Sequence, residues 1–437
     1  MHRLIVLAVL LCVACGDKTD PPTHTPDAGP EGPATLIVHS DWWDFVAGLG
    51  DMQGITVLLG DGSRFRQPLG RDGIARFHDA AITGPQDITV VMVGDGKVWA
   101  STTLNVEGSE VWVRSGFALL GGGFQGSRQA TLTGRVTNLS GRPAQVRVVG
   151  EGFSGIDNTE ADGTFSVDVW SKTAGQVALF VTDNTDHSGQ VSAVGLLRDI
   201  AVGEGRTVSG LVIPLDHPLD QRLPVEVTNL QPYGALTDVT ATFTLGSEYL
   251  FTTSTTGATP IEVPAMARTP PFDTVAVHLS ATAGSSERLS SGRVTAYAPL
   301  SAGGVTPLAL PAPMTLTTPT PGTEAAPGSG ARSGMALSWS ADPSAHSVTM
   351  RLRPQQGEPE LVWYVTAPAT VGSFTPFTLP TEVSPQRELS EGRYFVQWSS
   401  RFLGMGRGYQ DLYQEAPAVN GPDAWDTNAY GYSVLQD

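Results

Sequence analysis

The sequence predicts an all-β fold, laid out as tandem β-sandwich modules, and three observations predict it. Glycine and proline are abundant, 50 and 32 of 437 residues, as in a chain that turns often. Apolar residues fall in short runs rich in Val, Thr and Ile, the texture of strands. Long stretches with apolar residues at i, i+3 and i+4 are missing, so helices do not organise the chain.

The first element is not part of the folded body. Met1-His2-Arg3 precedes the apolar run Leu4 to Val13, and a small residue follows before a cleavage point. That order describes a secretory signal, and the run is too short to span a bilayer as a mature helix. The only two cysteines, Cys12 and Cys15, stand at its end as C-x-x-C. A redox pair needs a helix N-terminus in a βαβ setting. A zinc site needs further ligands that no second pair supplies. Val13-Ala14-Cys15-Gly16 resembles instead the lipobox of bacterial lipoproteins, with Cys12 where leucine is usual. The resemblance implies a lipoprotein signal peptide over 1–14 and lipidation at Cys15. The mature chain then has no free thiol and no disulfide, and its modules must hold by core burial alone.

Residues 15–33 follow as a lipidated cysteine and a disordered Pro-rich tether. Gly16 to Pro33 carries five prolines and almost nothing apolar, too little to offset the entropy of folding. Loss of Arg3 with the signal takes the formal charge from −17 to −18. Such an acidic chain is a poor nucleic-acid binder, because that binding neutralises phosphates. It is equally poor at docking electrostatically on anionic lipid. The expected partners are the membrane, through the lipid at Cys15, and an envelope protein or polysaccharide. The expected address is the cell envelope, on the outer membrane rather than the inner. Asp17 retains some lipoproteins at the inner membrane, a rule that does not hold in all bacteria.

The remaining chain divides into four modules, 34–120, 121–220, 221–312 and 313–437. In the first, Ile88 to Val106 reads as a hairpin turning at Gly94-Asp95-Gly96. The one helix candidate is Ser40 to Gly50, with Asp41 as cap. An internal repeat links the first two modules: Gly60, Gly62, Asp72 and Gly73 recur 90 residues later as Gly150, Gly152, Asp162 and Gly163. In each copy a D-G turn opens a strand with an inward aromatic, Phe77 or Phe165. Thr131 to Val169 resembles carboxypeptidase regulatory-like domains through Gly134-x-Val136, Gly141-x-Pro143, Val146-x-Val148 and Asp162-Gly163-x-Phe165. The resemblance implies a seven-stranded, transthyretin-like sandwich in which the glycines and the proline set turns, and it carries no catalytic residue. The third module reads as a sandwich of unknown subtype. Its strand-like runs are Asp238 to Thr244, Thr274 to Ser280 and Gly292 to Tyr297. A Pro/Thr/Gly stretch, Pro311 to Gly334, separates it from the fourth, which weakly resembles fibronectin type III with Trp339 and Tyr394 in its core.

The search for chemistry yields little. Gly121 to Gly126 matches G-x-G-x-x-G, but no helix starts there to meet a pyrophosphate, and a linker explains it. There is no G-x-S-x-G and no H-E-x-x-H, and none of the eight histidines lies within four residues of another. Asp157 to Gly163 and Asp426 to Gly431 are Asp-rich but lack the calcium-loop spacing, so both read as turns. No enzyme activity, cofactor or metal is expected. The local oddity is Trp42, Trp43 and Phe45, candidate ligand-binding residues: either an exposed platform for sugar rings or a plug over one end of the first sandwich. Tyr409, Tyr413, Trp425, Tyr430 and Tyr432 pose the same choice. The expected function is a non-catalytic, multi-module scaffold or protein-interaction lipoprotein. The alternative is a surface lipoprotein that binds carbohydrate or matrix through exposed aromatics.

Overall fold

The computed structural model describes residues 34–43, 52–94, 96–114, 127–139, 141–183, 191–203, 205–246, 248–285, 290–297, 304–355, 360–403, 407–414 and 425–437. They form six sheets, one of them thirteen-stranded. The signal, the tether, Cys15 and the Gly121–Gly126 run lie outside the described residues, as does most of the helix candidate, of which Trp42 and Trp43 are helical.

Three segments build the same sandwich. In the first, Leu36–His39 lies between Ile74–Phe77, antiparallel, and Glu110–Trp112, parallel. Facing this sheet, the strands run in the order Phe65–Pro68, Met52–Leu59, Gln86–Gly94, Lys97–Val106. In the second, Ser127–Thr137 lies between Thr164–Ser171 and Arg206–Pro214 with the same polarities. Its partner sheet runs Ile156–Asn158, Gln145–Val149, Gly175–Thr182, Ala193–Val202. The third places Gln221–Thr228 between Ile261–Ala265 and Thr306–Ala309. Against it run Glu248–Thr255, Leu236–Leu245, Val275–Ser285 and Ser290–Tyr297. The segment of unknown subtype is therefore a third copy of one topology, and the expected hairpin joins Gln86–Gly94 to Lys97–Val106.

The 90-residue repeat has a physical cause. Asp72 and Asp162 each accept the backbone N–H two residues on, from Ile74 at 3.2 Å and from Thr164 at 3.0 Å. Gly73 and Gly163 follow with φ of 74° and 90°, where a side chain is strained. Their carbonyls accept N–H bonds from Ser40 and Val136, both at 2.8 Å, which ties the turn to the first strand of each copy. Phe77 and Phe165 are both buried. Gly134 behaves otherwise than expected. It sits mid-strand rather than in a turn, and a Cβ there would stand 2.1 Å from the Leu211 carbonyl oxygen. Its role is close approach of the parallel neighbour.

The fourth module has a different plan. Glu360–Pro368, Ser347–Pro354, Gly392–Phe402 and Trp425–Gln436 form one sheet, with Gly328–Ala331 along the final third of its last strand. Thr315–Thr318, Leu337–Ser340 and Ser373–Phe374 form the facing sheet. The stretch Pro311–Gly334 is thus no separator. It supplies two strands and buries Met314 and Leu316, and the Trp398 indole donates to the Met314 carbonyl at 3.0 Å. Trp339 and Tyr394 share that core.

The modules do not simply follow one another in series. Glu360–Pro368 pairs in parallel with Lys97–Val106, from Glu360↔Lys97 to Thr366↔Thr103. At the other side, Trp425–Gln436 pairs with Ser290–Tyr297. The fourth module therefore joins topologically equivalent edges of the first and third copies into one sheet. An uncovered edge strand carries a row of unpaired N–H and C=O groups, and this pairing covers Lys97–Thr103 of one edge and Ser290–Arg293 of the other. Cores merge too. Leu58, Val91, Val93, Val98 and Ala100 of the first copy share a cluster with Trp363, Leu361 and Leu379 of the fourth. Phe180 and Val194 of the second share another with Phe251 and Phe243 of the third, in a stack with centroid separations of 5.5 Å and 4.3 Å.

Candidate functional site

Aromatic residues were the sequence's main lead, and the fold divides them into two sets. Trp42 is 1 % exposed and packs with Leu36, Phe77 and Val111 in the first copy's core. Trp43 is half-buried, its indole N–H donates to the Leu69 carbonyl at 3.3 Å, and the Arg71 guanidinium lies 3.9 Å over its ring. Phe45 lies outside the described residues. Trp42 lies in the first copy's core with Trp43 packed against that core, and Trp42 offers no free ring face.

Tyr409 and Tyr413 also belong to the first copy's core, although the fourth module carries them. They lie on a short 3-10 turn, Tyr409–Tyr413, in a T-shaped pair with centroids 5.0 Å apart. The Tyr409 hydroxyl donates to the Leu104 carbonyl at 2.7 Å. Gln410 donates to the Asn105 carbonyl at 2.8 Å, and its side-chain oxygen accepts from the Glu107 N–H at 3.0 Å. Burial pushes both phenols well above the ordinary tyrosine value.

The exposed set is on the outward face of the fourth module's sheet. Val348–Pro354 and Arg393–Phe402 alternate, one side chain to the core and the next outward. Register aligns Tyr364, Arg351, Gln397 and Tyr430 in one row across four strands. The next row holds Arg353, Phe395 and Tyr432. Tyr430 is 39 % exposed and Arg353 is exposed. Phe395 lies 5.7 Å from Tyr430 and 5.6 Å from Tyr432, centroid to centroid. Arg351 stands 5.2 Å over Tyr364, and Arg393 stands 5.0 Å over Tyr432, at cation–π range. Arg393 also donates to the Glu324 backbone carbonyl. Burial raises the Tyr364 phenol, and the Arg351 and Arg353 charges oppose that rise. A row of Thr366, Thr349, Ser399 and Asn428 borders the aromatics. The side chain of Trp425 lies outside the described residues.

Sequence reading caught Tyr430 and Tyr432 but missed Arg351, Arg353, Tyr364 and Phe395. The signal was there in the alternation of SVTMRLRP and GRYFVQWSS, whose odd-numbered residues bring Thr349, Arg351 and Arg353 and Arg393, Phe395, Gln397 and Ser399 to one face.

The Asp-rich segments differ from each other. Asp162 shapes its turn as described, whereas Asp426–Gly431 is no turn and runs inside the strand Trp425–Gln436. Among the described residues no three His, Cys, Asp or Glu side chains gather as a metal-ion group. His39 bonds Glu110 at 2.8 Å and stacks on Trp112 at 4.3 Å. The Nδ1 of His346 accepts from the Leu403 N–H at 3.0 Å.

The protein defined by this architecture is a multi-module β-sandwich protein whose last module splices the first and third copies together. No family model matches the chain, and no curated protein matches it significantly. Among solved structures, the Bacillus anthracis TIE protein is similar at 10 % identity, over 86 % of this chain and 64 % of that one, with a TM-score of 0.15. The chain thus spans less than two thirds of that protein. A 1.5-MDa bacterial ice-binding adhesin, from a study of its retention at the host cell surface, is similar at 13 % identity. That match covers 71 % of this chain and 100 % of the other, with a TM-score of 0.16. Overlap at this level says nothing about function.

Proposed function

We propose that the chain is a non-catalytic lipoprotein of the cell envelope, held by lipid at Cys15 and acting as a multi-module scaffold that meets partners through its folded body. The observation that supports this reading is the splice. A whole module is spent on pairing with two other copies, and two large cores are shared between modules. Shared cores resist relative motion of the modules, as a body that spaces or presents partners requires. The Pro-rich segment after Cys15 then acts as a spacer that lifts this body from the membrane.

Fractionation of cells expressing the chain with and without Cys15→Ala tests the anchor. The expected result is acyl labelling and membrane recovery of the wild type, with the variant released to the soluble fraction. Equal recovery of both in the soluble fraction overturns it. Protease added to intact cells then separates an outward-facing body, which is digested, from one inside the envelope, which survives.

A further inference from the structure

The outward face of the fourth module's sheet has a composition that the scaffold reading does not use. We propose that it binds an acidic polysaccharide, a glycan strand carrying uronic acid residues, laid across the rows led by Tyr430 and Phe395. This rests on the proposed envelope address only for where such a glycan would be met.

Three properties of the face carry the proposal. The first is charge. The chain has a formal charge of −17, yet Arg351, Arg353 and Arg393 share this face. No outward position is acidic from Thr349 to Arg353, Arg393 to Ser399, Asn428 to Val434 or Tyr364 to Thr366. Arginine presents a planar fork of donors that matches a carboxylate in two parallel bonds. The second is stacking. Tyr430, Phe395 and Tyr432 form an aromatic strip in which Phe395 meets both tyrosines, and aromatic faces pack on apolar C–H faces while tyrosine keeps a polar tip. The third is the border. Gln397, Thr349, Thr366, Ser399 and Asn428 supply amide and hydroxyl groups, which donate to and accept from hydroxyls.

A uronic acid residue offers the complement of all three: an apolar ring face, a girdle of hydroxyls and one carboxylate. The alternatives fit less well. The buried centre of a protein interface is more apolar than a surface, and Val434 is the only aliphatic residue among those outward positions. Nucleic acid carries about one charge per 1.7 Å of duplex, and the acidic chain as a whole repels it. A glycan with sparse carboxylates meets far less of that repulsion, which is screened beyond about 8 Å at physiological salt.

Shape agrees. Four strands set about 14 Å of row length, room for a short oligosaccharide. At its first-copy end the row continues into the neighbouring strand, where Tyr364 pairs with Ser101.

The test is calorimetric titration of the full chain, carrying Cys15→Ala for solubility, with oligogalacturonate, oligomannuronate and a hyaluronan fragment. The same titrations use the methyl ester of the first, poly-glutamate and single-stranded DNA. Arg353→Gln and Tyr430→Ala report on the face. Ile156→Ala, at a residue 58 % exposed in the second copy, is the control, and thermal melts verify that all three are folded. The expected result is binding of at least one uronate oligosaccharide, weakened tenfold or more by methylation and by either face variant, and unchanged in the control. Three outcomes overturn the proposal: no uronate binds, the ester binds equally, or the face variants bind as the control does. Tighter binding of poly-glutamate or DNA through Arg353 also overturns it, in favour of another polyanion. None of these results bears on release of the chain by Cys15→Ala, so the two readings fail separately.

Discussion

Trp363 is where the fusion of the first and fourth modules is most open to attack. It is 0 % exposed, its indole N–H donates to the Thr102 hydroxyl at 3.0 Å, and Thr102 bonds Thr89 at 2.9 Å deeper in the first copy. Its ring meets Phe377 edge-on at 5.2 Å. Replacement by alanine removes a large buried side chain and leaves a cavity, which costs about 3–5 kcal/mol. The lost hydrogen bond adds about 1 kcal/mol. In a cooperative unit of two modules each kcal/mol lowers the melting midpoint by about 2–4 °C, so Trp363→Ala is expected to lower it by about 8–24 °C. Hydrogen exchange locates the damage. Protection is expected to fall together in Glu360–Pro368 and in Gln86–Gly94 and Lys97–Val106, across 261 residues of chain. It stays in place in Leu236–Leu245 of the third copy. Trp363→Phe, which keeps one aromatic ring but loses the pyrrole half and the donor, is expected to lose less than the alanine variant, about 2–3 kcal/mol. Loss of protection in Glu360–Pro368 with Gln86–Val106 unchanged would refute the shared core.

Gly134→Ala forces a Cβ against the Leu211 carbonyl oxygen, 2.1 Å away. It is expected to detach Arg206–Pro214 from the second copy's sheet, seen as lost exchange protection there. Trp42→Ala empties a core site 1 % exposed and is expected to destabilise the first copy by about 3–5 kcal/mol, read from denaturant midpoints, with uronate binding intact. Alkali tests the buried phenols. Burial holds Tyr233, Tyr409 and Tyr413 neutral in the fold, while the unfolded chain releases those protons near pH 10. Stability is therefore complete below about pH 10 and falls above it by about 1.4 kcal/mol per pH unit for each such tyrosine. Urea midpoints from pH 8 to 11 check this. Tyr409→Phe is expected to flatten the slope, and a slope identical to wild type would contradict the assignment.

The all-β class and the module texture were legible because they depend on local chemistry. Alternation, turn glycines and the two D-G turns act within a few residues. The splice was not legible, because strand pairing across hundreds of residues leaves no local mark. One trace existed. Val90–Val93 and Val177–Val181 are unbroken apolar runs, the pattern of strands buried on both faces, and each faces a second module. Reading the first as a plain hairpin strand concealed its shared core. Tyr409 and Tyr413 deceived for a related reason: a residue's module by sequence is not always the module whose core it fills. Gly134 looked like a turn glycine because turn and close-approach glycines are identical in sequence.

The pairing of Lys97–Val106 with Glu360–Pro368 also sets an order of assembly. When the chain is made or exported from its N-terminus, the first copy waits with a bare strand edge until residue 360 arrives. It lacks part of its core until Tyr409 and Tyr413 follow. Contacts so distant in sequence form late, and an open edge in the meantime invites pairing with other chains. Closure of the first module therefore reports that the last has been made. A product cut short within the fourth module is expected to lose far more than its missing strands, because its first module never closes and becomes prey to proteases and self-association. The fold in effect checks its own length.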